Sequence, residues 1–171
     1  MFKKGDYIVY GTTGVCEVMD VTTIDMEGAA KGRLYYILAP HHDKGGKVFT
    51  PVDNVRVPMR AILTQEEAAR LIEEIPRIEE LWIMNDKMRE ESYKTAMKSA
   101  DCREWIKIIK TLYLRKQKRI AQGKKTTSMD ERYLKLAEEN LYSELSIPLG
   151  IPKERMAEYI ASRIESAEMN E

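Results

Sequence analysis

The side chains best suited to acid–base or metal chemistry in this sequence are two adjacent histidines, His41 and His42, in the stretch PHHDKGGK. Adjacent residues of a strand point to opposite faces, so this pair is poorly placed to share a metal ion. No ligand cluster, phosphate-binding glycine motif or Ser/His/Asp pattern accompanies them. The sequence therefore predicts a protein that is not an enzyme and has no cofactor or metal. A metal-dependent enzyme at His41 and His42 stays a third alternative.

The two cysteines, Cys16 and Cys102, lie far apart and form no CxxC pair. No apolar stretch approaches the roughly 18 residues of a transmembrane helix. The N-terminus, MFKKGDYIVYG, lacks the apolar run of a signal peptide. We expect a cytoplasmic protein without a membrane partner, in which both cysteines are buried free thiols.

The second feature with a possible chemical role is the uneven distribution of charge along the chain. The whole chain has 28 basic and 28 acidic residues, but residues 103–125 hold nine basic and one acidic, and residues 126–171 hold five basic and ten acidic. Like charges at helical spacing repel each other, so a solvated face usually mixes signs. The positive block formed by residues 103–125 therefore favours binding to a polyanion such as the phosphate backbone of nucleic acid. The alternative is a solvated helix face with cations near its C-terminus.

The positive block has two faces if it is helical, at 100° per residue. One third of the circumference is apolar: Trp105, Ile108, Ile109 and Leu112. The opposite side, within about 80°, is cationic: Arg103, Lys107, Lys110 and Lys118. Further cations follow towards Gly123 and beyond it: Arg115, Lys116, Arg119, Lys124 and Lys125.

Trp82 lies in the segment IEELWIMNDKMRE, which is acidic before the tryptophan and gains Lys87 and Arg89 after it. One interpretation places Trp82 in the core, like Trp105. The other is an exposed indole at the edge of the basic surface, where it can stack on or wedge between bases.

These residues must be positioned by two kinds of structure. Residues 1–58 are rich in Gly, Val, Thr and Tyr, with short apolar or alternating runs and tight turns. They predict four or five strands in a small all-β barrel domain.

Residues 59–171 predict an all-α domain of about five helices. Three capping boxes, Thr64 with Glu67, Asp101 with Glu104 and Ser128 with Glu131, predict three helix starts. A charge-rich helix is predicted over 78–99, and a last helix that starts at Ile151-Pro152 with the proline in its first turn. One predicted helix face carries Leu134, Ala137, Leu141 and Leu145.

Three stretches together resemble the CarD/CdnL family of bacterial transcription factors. They are FKKGDYIVYGTTGVCEV, KVFTPVDN, and a helical half with EWIKIIKTLYLRKQKR and DERYLKLAEENLYSELSIPLGIP. The N-terminal pattern is shared with the polymerase-interacting module of the transcription-repair coupling factor. The resemblance implies an SH3-like or Tudor-like barrel that binds the RNA polymerase β subunit. It also implies a helical domain that contacts promoter DNA, its backbone and minor groove, near the upstream edge of the −10 element.

The resemblance also implies site residues. The relatives' wedge tryptophan aligns with Asp86, and Trp82, about one helical turn earlier, is the best wedge candidate in this chain. The polymerase-contacting arginines of relatives align with Ile24 and Phe49, and Met26 and Lys47 lie beside these positions, which implies a more apolar contact. The expected DNA-binding set is Trp82, Lys87, Arg89, Arg103, Lys107, Lys110, Arg115, Lys118, Arg119, Lys124 and Lys125.

The sequence thus predicts a nucleoid-associated regulator of transcription with two domains, 1–58 for polymerase and 59–171 for DNA. It would stabilise the open promoter complex without strong sequence specificity, and a monomer is expected. The alternative is a polymerase-bound adaptor whose basic helix contacts an acidic protein instead of DNA.

Overall fold

The computed structural model describes residues 1–25, 27–28 and 31–169. The chain divides into two compact units, Met1–Ile62 and Leu63–Glu171. The first is built from strands and the second from helices. The predicted fold class, a small all-β domain followed by an all-α domain, is confirmed.

The N-terminal unit is one antiparallel sheet with the strand order β4-β3-β2-β1-β5. Its five strands are β1 (Tyr7–Tyr10), β2 (Gly14–Thr23), β3 (Leu34–Pro40), β4 (Val48–Pro51) and β5 (Met59–Ala61). Because side chains alternate along a strand, one face of the sheet collects the apolar core. That core is formed by Ile8, Cys16, Val18, Tyr36 and Leu38.

The turn between β1 and β2 depends on a glycine. Gly11 has φ +46°, and an added Cβ would lie 2.7 Å from the Val57 Cγ1. A side chain at this position would therefore be both strained and overlapped with a neighbour. The turn sets the register in which Val9 lies opposite Val15.

The first unit ends later than its predicted boundary after Pro58. Residues 59–61 form β5, which pairs with β1 and sets Arg60 opposite Val9. The Ile62 amide then donates to the Tyr7 carbonyl at 3.3 Å. The last strand of the sheet thus lies in a segment that composition alone assigned to the helical half.

The second unit contains the helices α1 (Gln65–Glu74), α2 (Arg89–Lys98), α3 (Cys102–Ala121), α4 (Ser128–Leu149) and α5 (Met156–Met169). Trp105, Ile108 and Leu112 of α3 are buried, as the helical pattern predicts. On α4, Ala137, Leu141 and Leu145 are buried and Leu134 is half-buried. The apolar stripes of these two helices form the centre of the unit.

The three predicted capping boxes have different outcomes. Thr64 and Glu67 form a reciprocal box at the start of α1. Asp101 caps α3 by accepting the Arg103 amide at 2.9 Å, but the Glu104 carboxylate instead accepts from the Lys107 ammonium. The prediction for α4 is wrong by one residue, because the cap is Thr127, which accepts the Asp130 amide at 3.1 Å.

The predicted helix over 78–99 is wrong in its first half. Residues 78–85 have no regular structure, a single 3₁₀ turn covers Asp86–Met88, and α2 begins only at Arg89. Asn85 interrupts the helical pattern, since its side chain accepts the Met88 amide at 3.1 Å and starts a new turn. Long-range hydrogen bonds hold the extended segment against α3 instead.

Both cysteines are buried free thiols, as predicted. Burial raises the pKa of the Cys16 thiol to about 12. Cys102 lies in the helical unit, where its Sγ donates to the Glu144 Oε1 at 2.9 Å. The other Glu144 oxygen accepts the Leu63 amide at 2.9 Å, so this fully buried carboxylate joins the start of the unit to α3 and α4.

Candidate nucleic-acid and polymerase interfaces

Trp82 lies on the extended segment 78–85, and 76% of its surface is exposed. The preceding residue is fixed, because the Leu81 amide donates to the Thr111 Oγ1 of α3 at 2.8 Å. Trp105, in contrast, is fully buried. The interpretation of Trp82 as a core residue is therefore wrong, and its indole is available to a partner.

A shallow groove of about 260 Å³ lies beside Trp82. Its apolar lining includes Leu81, Trp82, Met88 and Ala96, and its polar lining includes Ser92, Thr95, Glu91 and Glu104. Met84 and Met88 are also exposed, by 68% and 45%. The tryptophan is thus part of an apolar surface on the segment that precedes α2.

Glu80, two residues before Trp82, lines a different groove of about 180 Å³. Three cations line it as well, Arg89 from α2 and Arg115 and Lys118 from α3. The segment 78–85 therefore contributes nearby residues to an apolar groove and to a basic groove. A ligand in the basic groove would therefore lie against the same segment that carries the exposed indole.

Several cations of α3 are paired with anions from other positions. Arg103 forms an ion pair with Glu74 of α1. Lys107 pairs with Glu104 at 3.1 Å, and the Arg115 Nε donates to the Asp130 Oδ2 at 2.6 Å. The assumption that the positive face does not mix signs is therefore wrong, since neighbouring helices and the first turn of α3 supply the carboxylates.

Lys110 has a structural contact. Its ammonium donates to the Ile75 carbonyl and, at 2.5 Å, to the Ile78 carbonyl. Both carbonyls lie just past the end of α1. The Ile75 carbonyl also accepts the Ile78 amide at 3.1 Å in the 3₁₀ turn that follows, and the ammonium adds a charged donor to each carbonyl. Burial lowers the pKa of Lys110, although the charge of Glu80 opposes this effect.

Asp130 was not predicted as part of the site. It is buried, and its carboxylate orients Arg115 towards the basic groove. On the other side, the Arg89 guanidinium donates to the Tyr93 hydroxyl at 2.8 Å and pairs with Asp86 at 3.3 Å. The two arginines of the groove are thus held by partners of their own. The sequence could not single out Asp130 as a partner of Arg115, because acidic residues are common in the first turn of any helix and Asp130 lies in the first turn of α4.

The remaining predicted cations are more open. Lys87, Lys118, Lys124 and Lys125 are exposed, and within the described part of the chain none of them forms a salt bridge. The Arg119 Nε donates to the Lys125 carbonyl at 2.8 Å, which shapes the loop after α3. Three of these four lysines therefore place exposed positive charge at the C-terminal end of α3 and in the loop after it.

The predicted polymerase residues lie in the first unit. Phe49 is 43% exposed on β4, an edge strand, and lies opposite Ile37 of β3. Directly opposed residues share a face, so Phe49 and Ile37 belong to the side of the sheet that faces away from Leu38 and Tyr36. Lys47 is exposed, Ile24 is half-buried after β2, and Met26 lies outside the described residues.

Two further exposed apolar residues of this sheet were missed. Leu34, at the start of β3, is 44% exposed. Met19 is 42% exposed at a β-bulge, where the β2 register shifts between Val18 and Asp20. A bulge changes the direction in which a side chain points, and it cannot be recognised from the alternation of apolar and polar residues alone.

The two histidines are exposed at the end of β3, and the His41 ring lies edge-on to Tyr7 with 6.1 Å between centroids. Among the described residues, no group of three His, Cys, Asp or Glu side chains could hold a metal ion. None of the described helices is long and apolar enough to cross a membrane.

Residues 2–63 match the family model of the CarD-like/TRCF RID domain. The match spans all five strands, and it ends next to the boundary between the two units. The N-terminal unit is thus an RNA-polymerase-interacting module of transcription proteins. This unit is similar to the CarD-like/TRCF RID domain over its whole length, which confirms the resemblance for this part of the chain, and RID domains interact with the RNA polymerase β subunit. A transcription-related role follows for the chain. No curated protein matches it.

Proposed function

We propose that this protein is a non-enzymatic regulator that stabilises the open promoter complex of bacterial RNA polymerase in the nucleoid. The N-terminal unit binds the β subunit, and the helical unit contacts promoter DNA near the upstream edge of the −10 element. The observation that carries the DNA part is the exposed indole of Trp82 on a segment hydrogen-bonded to the basic helix.

The polymerase contact uses the outer face of the sheet. Phe49 supplies an apolar anchor on an edge strand, with Ile37 beside it and Lys47 just before it. An edge strand also offers unpaired backbone groups to a strand of another protein. Ile24 and Met26 belong to this proposed interface through the alignment with relatives.

The DNA contact combines charge and stacking. Lys87, Lys118, Lys124 and Lys125 are the open cations that can neutralise phosphates, which gives affinity without reading base sequence. Arg89 and Arg115 face the same groove as Lys118 and can contact a phosphate there while keeping their carboxylate partners. Arg103, Lys107 and Lys110 are assigned to positioning, because intramolecular partners already hold them.

Trp82 is the proposed wedge. An exposed aromatic ring on the segment that also lines the basic groove can occupy the gap left by an opened base pair and stack on the unpaired base. The hydrogen bond at Leu81 fixes the backbone next to Trp82 before DNA arrives, so less backbone ordering entropy is lost on binding.

The test is the lifetime of preformed open complexes after a competitor challenge, with and without the full-length protein. The wild-type chain should extend that lifetime, and Trp82→Ala should not, although it should still bind polymerase. Equal lifetimes with and without the wild-type chain, under conditions where it is bound to polymerase, would contradict the proposal.

A further inference from the structure

Helix α3 has a second exposed face in its C-terminal half, which the proposed DNA and polymerase contacts do not use. Tyr113, Gln117 and Ile120 follow each other at spacings of four and three residues, so they form one stripe along the helix. Tyr113 is 56% exposed and Ile120 is 60% exposed. Lys118 lies about 160° around the helix from Ile120, so the stripe and the basic groove point in different directions.

This stripe continues a face that is buried earlier in the same helix. Ile106, two helical turns before Tyr113, is only 3% exposed, and Cys102 is 4% exposed. The apolar pattern therefore runs past the part of α3 that the rest of the unit covers. Two large exposed apolar side chains on one helix face, two turns apart, can serve as anchors of a contact surface.

The rim of the stripe is cationic. Lys116 is exposed and lies one turn before Ile120, and Lys124 and Lys125 follow in the loop after the helix. On the α4 side the rim also carries one carboxylate, Glu138, whose pKa is raised by burial, an effect that the charge of Lys116 opposes. An apolar centre with positive charge around it complements a segment with an apolar stripe and acidic flanks.

We propose that the surface formed by Tyr113, Gln117, Ile120 and Lys116 docks an acidic amphipathic helix of a partner protein. Apolar side chains of that helix cover Tyr113 and Ile120, and its carboxylates pair with Lys116 and the loop lysines. Two copies of this chain meeting through the stripe would oppose like charges, which disfavours a homodimer. DNA phosphates would pair with the lysines but leave the apolar stripe uncovered. Lys124 and Lys125 are also assigned to the proposed DNA contact, so the acidic helix and DNA would compete for these two lysines, whereas the apolar stripe belongs to the protein partner alone and polymerase binding is not involved.

The experiment is a titration of the isotope-labelled full-length protein, followed by backbone amide shifts. The probe is a synthetic acidic peptide of roughly 18 residues, long enough to form a helix, with leucines at helical spacing and glutamates elsewhere. One control peptide replaces the leucines with glutamine, and a second replaces the glutamates with lysine. The acidic amphipathic peptide should shift the amides around Tyr113, Gln117 and Ile120, and both controls should bind at least tenfold more weakly.

Variants then locate the contact. Ile120→Ser and Tyr113→Ser should each weaken peptide binding roughly tenfold or more, which is the effect expected when a large apolar side chain is lost from a buried contact. Leu114→Ser is the matched control, because Leu114 is 41% exposed but lies 100° away from Tyr113. It should bind the peptide like the wild type. Lys116→Gln should weaken binding and reduce its salt dependence.

Four results would overturn the inference. Peptide shifts outside the stripe, or unchanged affinity in Ile120→Ser, would remove the docking surface. Weaker binding of duplex DNA by Ile120→Ser would assign the stripe to nucleic acid. Self-association that disappears in Ile120→Ser would assign it to a second copy of the chain. Polymerase binding and the Trp82 effect are measured separately, so their failure is distinguishable from failure of this surface.

Discussion

The Leu81 amide donates a hydrogen bond of 2.8 Å to the Thr111 Oγ1, and this contact joins the segment that carries Trp82 to the basic helix. The same hydroxyl donates to the Lys107 carbonyl one turn back in α3 at 2.7 Å. One threonine thus sets the position of the proposed stacking residue relative to the cations that follow it along the helix.

Thr111→Val should therefore weaken function more than stability. Valine keeps the shape of threonine but leaves the Leu81 amide without its acceptor, which should lower the free energy of unfolding by about 1 kcal/mol. Because Trp82 would be less well held, open-complex lifetime should fall. Thr111→Ser retains the hydroxyl and should restore the lifetime. Equal lifetimes in the valine and serine variants would show that this hydrogen bond does not position Trp82.

Trp82→Ala should leave thermal melting nearly unchanged, because the indole is 76% exposed. Open-complex stability should fall by about 1–3 kcal/mol for each base stacked, roughly a factor of 5 to 150. Trp105→Ala is the control for a core tryptophan and should lower folding stability by about 3–5 kcal/mol. A normal lifetime with Trp82→Ala would eliminate the wedge.

The open cations should determine the salt dependence of DNA binding. Replacing Lys118, Lys124 and Lys125 together with glutamine should flatten the slope of log K against log salt by up to roughly 0.9 for each duplex phosphate that is no longer neutralised. Replacing Lys44, Lys98 and Lys135, which are also exposed, removes the same charge elsewhere and should leave the slope unchanged. Equal slopes in the two triple variants would indicate non-specific attraction by total charge.

Local patterns predicted the parts of this fold that local interactions determine. Thr64 and Glu67 are three residues apart and cap α1 together, so their spacing alone revealed the helix start. Trp105 and Leu112 lie on the apolar stripe of α3 and are buried. In both cases the stabilising interaction follows from helical periodicity, which is visible in the sequence.

Two of the errors concern residues whose partners are distant in the sequence. Residues 78–85 carry a helical charge pattern, but hydrogen bonds from Lys110 and to Thr111 hold them extended. Arg103 looked like part of an open positive face until the fold brought Glu74 beside it. Such interactions depend on tertiary packing, and neither spacing nor composition encodes them locally.

Phe49 should be the principal apolar anchor for polymerase. Phe49→Ser removes a 43% exposed ring from an edge strand and should weaken β-subunit binding at least tenfold, as expected for a buried aromatic contact. Val55→Ser is the matched control, since Val55 is 95% exposed in the loop after β4. Equal affinities of the two variants in a β-subunit binding assay would place the interface on another face of the sheet.

The length of the polymerase-binding unit provides the last prediction. A fragment of residues 1–62 contains β5, whereas a fragment of residues 1–58 ends before it and leaves the outer edge of β1 unpaired. Removing the ladder that Ile8, Val9 and Tyr10 form with β5 also uncovers part of the core, because Met59 packs against it. We expect the longer fragment to melt cooperatively and bind the β subunit like the full chain, and the shorter one to do neither. Calorimetry and β-subunit binding of the two fragments test this. If residues 1–58 bound as tightly as residues 1–62, β5 would be dispensable, and if residues 63–171 bound equally well, the N-terminal unit would not carry the polymerase contact.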